Sequence, residues 1–331
     1  DQLTINDQFG STPQIERIEF SDGVSWDLAA MQVAVSVIGT SANDNLSGLE
    51  VADRMYGLVG NDTLAGAGGD DLLNGGDGND NLNGGAGNDL LEGGNGIDIL
   101  TDTAGTSLFN AGAGTDTITG GGSAEIFICG VDSDTRTTGN GDDVIAFNKG
   151  DGYDQLEFEN GSPITLSFGN GIRYEDLSVR REGSDLYFDV AGRTHDSVRI
   201  DDYFRTSTKP TLKLQFLLEG TTGYQPNGTD ALRDNKVEVL DADKLLADFN
   251  TAYNSSRTLQ RGGSWAIMNS LLRAHLWGSN TMALGGDLAY QYGTTGLAGM
   301  NQLAANNVLM DGNLGLQGQA ILGAAIQVTE H

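Results

Sequence analysis

The sequence predicts a mainly β protein, built as a repetitive coil followed by a module of alternating strands and a partly helical end. Three observations carry that prediction. A nine-residue spelling recurs ten times between Gly39 and Ile128 without insertion or deletion. One large apolar side chain returns at the same phase of every copy. Beyond residue 160, apolar and polar residues alternate with a period of two, which marks strands that bury one face.

Composition restricts the partners before any motif is considered. The 331 residues include 49 Gly and set 46 acidic against 18 basic side chains, a formal charge of −28. Such a chain repels nucleic acid and anionic membranes, both of which need clustered Lys and Arg to displace their counterions. Cations are the natural partners. Strong acidity with few aromatics would by itself describe a disordered tail, but regular spacing of the acids is what a coordination site needs and a solvated tail does not. A single cysteine, Cys129, excludes an internal disulfide framework, so a bound metal is the expected source of extra stability. No run of about 18 apolar residues could span a bilayer, so no transmembrane segment is expected. No charged-then-apolar leader precedes the first residues, and the chain opens on Asp1 rather than Met, so the sequence is read as a fragment.

Taken in order, the repeats begin at Gly39 and end with the unit Gly120–Ile128. Three clear copies start at Gly75, Gly84 and Gly93 and follow the pattern GGxGxDxUx, with U a large apolar residue. The sixth position is Asp44, Asp53, Asp62, Asp71, Asp80, Asp89, Asp98, Ser107, Asp116 and Glu125; the eighth runs from Leu46 and Met55 to Ile118 and Phe127. Glycines at positions one, two and four permit left-handed backbone angles and expose carbonyl oxygens on a tight loop, and the aspartate adds a carboxylate.

This nonapeptide is the calcium-binding signature of RTX proteins, and the chain resembles that family of haemolysin-type exoproteins. The resemblance implies a right-handed parallel β-roll with two units to a turn, so that loops eighteen residues apart stack, Asp62 over Asp80 and Asp71 over Asp89. Stacked turns lie about 4.8 Å apart, where two carboxylates repel by about 1 to 3 kcal/mol. Ca²⁺ accepts about six to eight oxygens at about 2.3 to 2.6 Å and suits such a pair, whereas Mg²⁺ prefers a smaller octahedron and keeps its water. Folding and metal binding are then one event. The expected ligand loops are Gly57, Gly60 and Asp62; Gly66, Gly69 and Asp71; Gly75, Gly76, Gly78 and Asp80; Gly84, Gly85, Gly87 and Asp89; Gly93, Gly94, Gly96 and Asp98; and Gly114 with Asp116. The units at Gly39, Gly48, Asp102 and Gly120 depart from the pattern at Ala42, Val51, Ser107 and Glu125, and are expected to bind weakly or only to continue the strands.

After Ile128 the strict period is read as broken, with two partial motifs that each close one more coil and add Gly141 with Asp143 and Gly152 with Asp154 to the expected ligands. Cys129, Asp132 and Asp134 between them are read as a surface loop. The roll therefore spans 39–160. Residues 161–228, with the strands Ile164–Phe168, Leu177–Arg181, Leu186–Val190 and Val198–Ile200, are read as a β-meander that resembles the haemolysin-type calcium-binding associated domain. Leu3–Phe9 followed by Ile15–Phe20 parallels Val198–Phe204 followed by Leu212–Phe216, so residues 1–38 are read as the C-terminal half of a preceding β module.

In residues 229–331, Leu245, Leu246 and Phe249 share one face of a helix after an Asp241 N-cap, and a second helix is expected over Trp265–Trp277. The region is read as a cap on the open end of the roll or, as the resemblance implies, an uncleaved signal for the type I secretion apparatus; these readings are compatible. Catalysis has no foothold in the motifs: GxSxG, HExxH and GxxxxGK[ST] are all absent, and His195 is read as a surface turn residue. The expectation is a non-enzymatic, calcium-binding module of a secreted bacterial adhesin or toxin, extracellular or on the cell surface, whose parent could recognise a surface or carbohydrate ligand. The alternative is the secretion and folding domain of an extracellular lipase, protease or epimerase with its catalytic domain upstream.

Overall fold

The nine-residue period folds as one short strand and one tight turn per unit. In the computed structural model, which describes residues 17–19, 25–27, 36–158, 161–190, 196–205, 207–219, 221–222, 224–226 and 228–279, successive units alternate between two facing eleven-stranded sheets. One wall receives Asn45–Ser47, Thr63–Gly68, Asn81–Ala86, Ile99–Thr101, Thr117–Thr119, Thr135–Thr137 and Tyr153–Glu157. The opposite wall receives Val37–Ile38, Arg54–Val59, Leu72–Asp77, Leu90–Asn95, Leu108–Ala113, Ile126–Ile128 and Asp143–Phe147. Within each wall these neighbours are parallel and shifted by eighteen residues, as in Leu64 beside Leu82 and Leu73 beside Leu91, except that Thr135–Thr137 and Tyr153–Glu157 are shifted by twenty. This is a parallel β-solenoid of about 7 turns, the β-roll architecture.

The eighth residue of each unit points inward. Leu64, Leu82, Leu100 and Ile118 line one wall and Met55, Leu73, Leu91, Phe109 and Phe127 the other, all fully buried. Phe109 and Phe127 stack with ring centroids 5.1 Å apart. Burial of each such side chain contributes about 1.5–3 kcal/mol, and the columns set the register, since a one-residue slip would turn the apolar set outward. The seventh position separates the walls. It is Leu72, Leu90, Leu108 and Ile126 on one, all buried, but Thr63, Asn81 and Thr117 on the other, all exposed.

The coil does not stop at residue 160. Ile164–Phe168 pairs in parallel with Asp143–Phe147, and Leu212–Leu217 with Ile164–Phe168, so both belong to the coil wall. Phe147, Phe168 and Phe216 occupy one register, the first pair meeting edge to face at 6.2 Å between centroids and the second stacking at 5.3 Å. Only Leu177–Glu182, Asp185–Val190 and Asp196–Ile200 form the antiparallel meander, and the last of these is in turn parallel to Tyr153–Glu157. The expected boundary between residues 160 and 161 therefore falls inside continuous sheets. Alternation has the same period in a coil strand as in a meander strand, so the pattern alone could not separate them.

The C-terminal end is closed by α1, Ala242–Ser255, whose Asp241 N-cap accepts the Lys244 N–H at 3.1 Å and whose Leu245, Leu246 and Phe249 join the core. The helix expected over Trp265–Trp277 is largely replaced. Trp265–Ala266 pairs with the meander edge at Ser178–Val179, Leu271–Ala274 makes a single helical turn, and His275–Ser279 pairs with Val237–Asp241. Covering two open sheet edges satisfies more backbone than a short isolated helix would. Of the expected half-module at 1–38, Arg17–Glu19 and Ser25–Asp27 pair antiparallel, and Val37–Ile38 belongs to the coil; the rest lies outside the described residues, as do His195 and everything from residue 280 onward. Phe168→Ala should lower the stability of the calcium-loaded chain by about 3–5 kcal/mol, read from urea denaturation. Ile99→Thr, at a wall position 47% exposed, should change it by no more than about 0.5 kcal/mol.

Candidate metal centre

Each turn between walls carries the sixth-position residue, an acid everywhere but Ser107, and the stack of turns sorts these residues, with Asp154 after them, onto two edges. One edge holds Asp44, Asp62, Asp80, Asp98, Asp116, Asp134 and Asp154; the other holds Asp53, Asp71, Asp89, Ser107, Glu125 and Asp143. On the first edge each residue's backbone N–H donates to Oδ1 of the next: Asp44 to Asp62 at 2.7 Å, Asp62 to Asp80 at 2.7 Å, Asp80 to Asp98 at 2.8 Å, Asp98 to Asp116 at 2.8 Å and Asp116 to Asp134 at 2.8 Å. On the second edge Asp53 donates to Asp71 and Asp71 to Asp89, both at 2.7 Å, and Glu125 to Asp143 at 3.1 Å.

From Asp62 to Asp143 this ladder uses one oxygen of each aspartate and strands the other, while Glu125 accepts the Gly121 N–H at Oε1 and strands Oε2. Oδ2 of Asp62, Asp71, Asp80, Asp89, Asp98, Asp116, Asp134 and Asp143, and Oε2 of Glu125, are buried without a hydrogen-bond partner. An ionised carboxylate left in that condition costs several kcal/mol. The stranded oxygens share their space with backbone carbonyls. A methyl group placed on Gly57 would meet Asp62 Oδ2 at 2.4 Å and the Gly75 carbonyl of the next turn at 2.5 Å; one on Gly66 would meet Asp71 Oδ2 at 2.2 Å and the Gly84 carbonyl at 2.5 Å. Position four is closed to side chains for another reason: Gly78 has φ +147°, and a Cβ there would lie 1.6 Å from the Gly60 carbonyl. Glycine at these places keeps a set of oxygens open. An all-oxygen donor set with buried, unpartnered carboxylates fits a hard divalent cation such as calcium.

Burial also drives the acids toward their neutral form. It pushes Asp71 and Asp98 up to about 7, Asp116 to about 6 and Asp134 to about 8, against the opposing pull of their backbone hydrogen bonds. Glu125 is raised by burial and by the neighbouring Asp143 carboxylate.

The expected ligand loops from Gly57 to Asp98, and Gly114 with Asp116, fall at these turns, and the expected stacking of Asp62 over Asp80 and Asp71 over Asp89 is observed. At the N-terminal end, Asp44 Oδ2 accepts from the Thr40 N–H at 2.6 Å and Asp53 Oδ2 from the Leu49 N–H at 2.6 Å, so these carboxylates are served by their own chain. The unit at Asp102 is a transposition. Asp102 stands where glycine belongs, and its carboxylate accepts the Ser107 hydroxyl, in a pair of positions whose side chains share one space in every regular unit. A carboxylate is retained there, beside that of Asp89.

Two readings are corrected. The nine-residue phase does not break at Ile128. It continues through Cys129–Thr137 and Thr138–Ala146, with Asp134 and Asp143 at the sixth position. Asp134, read as part of a surface loop, is 1% exposed and stands in the ladder; its separation of eighteen from Asp116 was the available signal. Asp154, also expected as a ligand, has its Oδ2 accepting from Arg136 Nη1 at 3.1 Å and stands with Cys129 and Asp134 in a group whose ligand atoms lie within 4.8 Å of one another. Gly141 and Gly152 take φ values of +132° and +103° in their turns, as the motif requires.

The family model of the RTX calcium-binding nonapeptide repeat (4 copies) matches residues 38–73, 56–91, 66–100, 92–124 and 101–135. That of the haemolysin-type calcium binding protein related domain matches residues 1–30. No curated protein matches the chain. The carboxylate ladder thus extends past the last matched repeat, to Asp154.

The raised values have a sign. In the metal-free coil they lie above the roughly 3.9 of an unfolded aspartate, so the favourable contribution of protonation is complete below about pH 4 and is lost as pH rises through 6 to 8. In EDTA the coil should therefore resist urea better at pH 5 than at pH 8. Protons compete with the metal for the same oxygens, so the calcium midpoint, followed by circular dichroism, should move to higher concentration between pH 8 and pH 6. Midpoints insensitive to pH would contradict the assignment of these acids.

Proposed function

From the premise that this chain is an RTX calcium-binding protein, we propose that it works as a calcium-triggered folding module of a larger bacterial exoprotein. The observation that carries the proposal is the row of buried carboxylate oxygens without partners. A chain with this many uncompensated acids is poorly stable where free calcium is scarce, as in a bacterial cytosol, and is stabilised by mass action where calcium is plentiful. An unfolded chain can be threaded through a type I secretion apparatus; the same chain then folds outside, with extracellular-type sites of about 10⁻⁴ to 10⁻³ M affinity sufficient to hold the metal. The module itself is non-enzymatic in this reading: its acids are spent on one repeated spacing rather than on an unlike pair tuned for acid and base.

The parent protein is proposed to be a surface adhesin or toxin, located outside the cell or on its surface. The length of the array supports this, because a long stack of metal-stiffened turns suits a spacer or display element. No helix among the described residues is long and apolar enough to cross a membrane.

Export is tested by expressing the chain in a bacterial host with and without a type I exporter. Full-length chain should accumulate in the medium only with the exporter, and a version ending at Ser279 should remain in the cells. Equal release of both versions, or release without the exporter, would count against the proposal.

A further inference from the structure

One inward column breaks its own rule. Residues in register on one wall are Leu46, Leu64, Leu82, Leu100, Ile118, Arg136 and Leu156. Arg136 is 0% exposed in a column that is otherwise aliphatic. An arginine there is strongly destabilising unless a carboxylate answers it. Its Nη1 donates to Asp154 Oδ2 at 3.1 Å and also to the Cys129 sulfur.

Asp154 is the last acid of the first edge. Its Oδ1 accepts from the Asp134 N–H at 3.3 Å, as earlier rungs do, but across twenty residues instead of eighteen. A carboxylate oxygen from each of Asp134 and Asp154 and the Cys129 sulfur lie within 4.8 Å of one another, a grouping close enough for a metal. In the rungs from Asp62 to Asp134 the second oxygen of the aspartate is stranded; at Asp154 it is not among the stranded atoms. The guanidinium reaches that oxygen from inside the coil.

We propose that Arg136 is a built-in cation that takes the place of calcium at the terminal rung, so that the turns beyond Asp143 are held without metal. This rests on the calcium reading of the preceding rungs. A fixed positive charge among Cys129, Asp134 and Asp154 repels a divalent ion, and it compensates the Asp154 carboxylate at any calcium concentration. Among the described residues beyond Asp143, the rings of Phe147, Phe168 and Phe216, the meander and α1 are held by apolar packing, hydrogen bonds and ion pairs such as Arg180 with Asp189. The protein is thereby divided into a calcium-dependent ladder and a calcium-independent end on which the ladder can build.

Hydrogen exchange of the full chain, read by mass spectrometry in EDTA and in calcium, tests this together with a count of bound calcium by equilibrium dialysis. In EDTA, residues 143–158 and 212–241 should be protected while 62–98 exchange. Arg136→Leu, which restores the residue type of the column, should strip protection from 143–158 in EDTA, recover it in calcium and bind one more ion per chain than the parent. The double variant Arg136→Leu with Asp154→Leu removes the charge pair whole, and should keep its protection in EDTA with the parent's ion count. An Arg136→Leu chain as protected in EDTA as the parent, or one that gains no ion in calcium, would overturn the proposal. So would exchange of 143–158 as fast as 62–98 in the parent. Protection of 62–98 in EDTA would bring down the underlying calcium reading instead, and is distinguishable because it appears before any substitution.

Discussion

Like charge stacked on like charge at a fixed step governs this molecule. The step of eighteen residues is imposed by the apolar columns, since only that register buries Leu64, Leu82 and Leu100 on one wall and Leu73, Leu91 and Phe109 on the other. The same register lays each sixth-position carboxylate against the next turn and buries it. Backbone N–H groups satisfy one oxygen per acid, which fixes the direction of the carboxylate and leaves its second oxygen facing carbonyls. The hydrophobic core and the acid ladder are therefore coupled: a chain that packs its interior correctly also builds a charge arrangement that only cations or protons can relieve.

The departures from the repeat become intelligible as different ways of placing or serving that charge. At the N-terminal end, Thr40 and Leu49 N–H groups serve Asp44 and Asp53. In the unit at Asp102, the carboxylate moves from position six to position one, into space that a regular unit leaves empty for it. At the C-terminal end, a guanidinium serves Asp154. Between these places the stranded oxygens run from Asp62 to Asp143, which delimits the stretch that depends on an external cation.

Most of the coil was legible in the sequence because its two determinants are periodic: Asp at position six and a large apolar residue at position eight give phase, spacing and stacking partners directly. The end of the coil was harder to see because the same phase continues under disguise, with Cys129 in a glycine place and Arg136 in an aliphatic one, so the unit containing Asp134 resembled an irregular loop. The join to the meander was hidden for a different reason. Ile164–Phe168 and Leu212–Leu217 alternate like any half-buried strand, and their parallel pairing depends on partners far along the chain. Trp265–Trp277 carries apolar residues at spacings that suit a helix, yet open sheet edges at Ser178 and Val237 recruit its ends as strands. Asp241 and the face of Leu245, Leu246 and Phe249 were readable because an N-cap and its helix are local.

The central claim, that calcium and the ladder form one folding unit, is tested most directly by far-ultraviolet circular dichroism of the full chain, titrated from EDTA to about 10 mM CaCl₂, a range that covers weak extracellular sites, with MgCl₂ in parallel. The account predicts a cooperative gain of β signal with calcium and little or none with magnesium. A chain that shows its full β signal in EDTA and does not respond to calcium would contradict it.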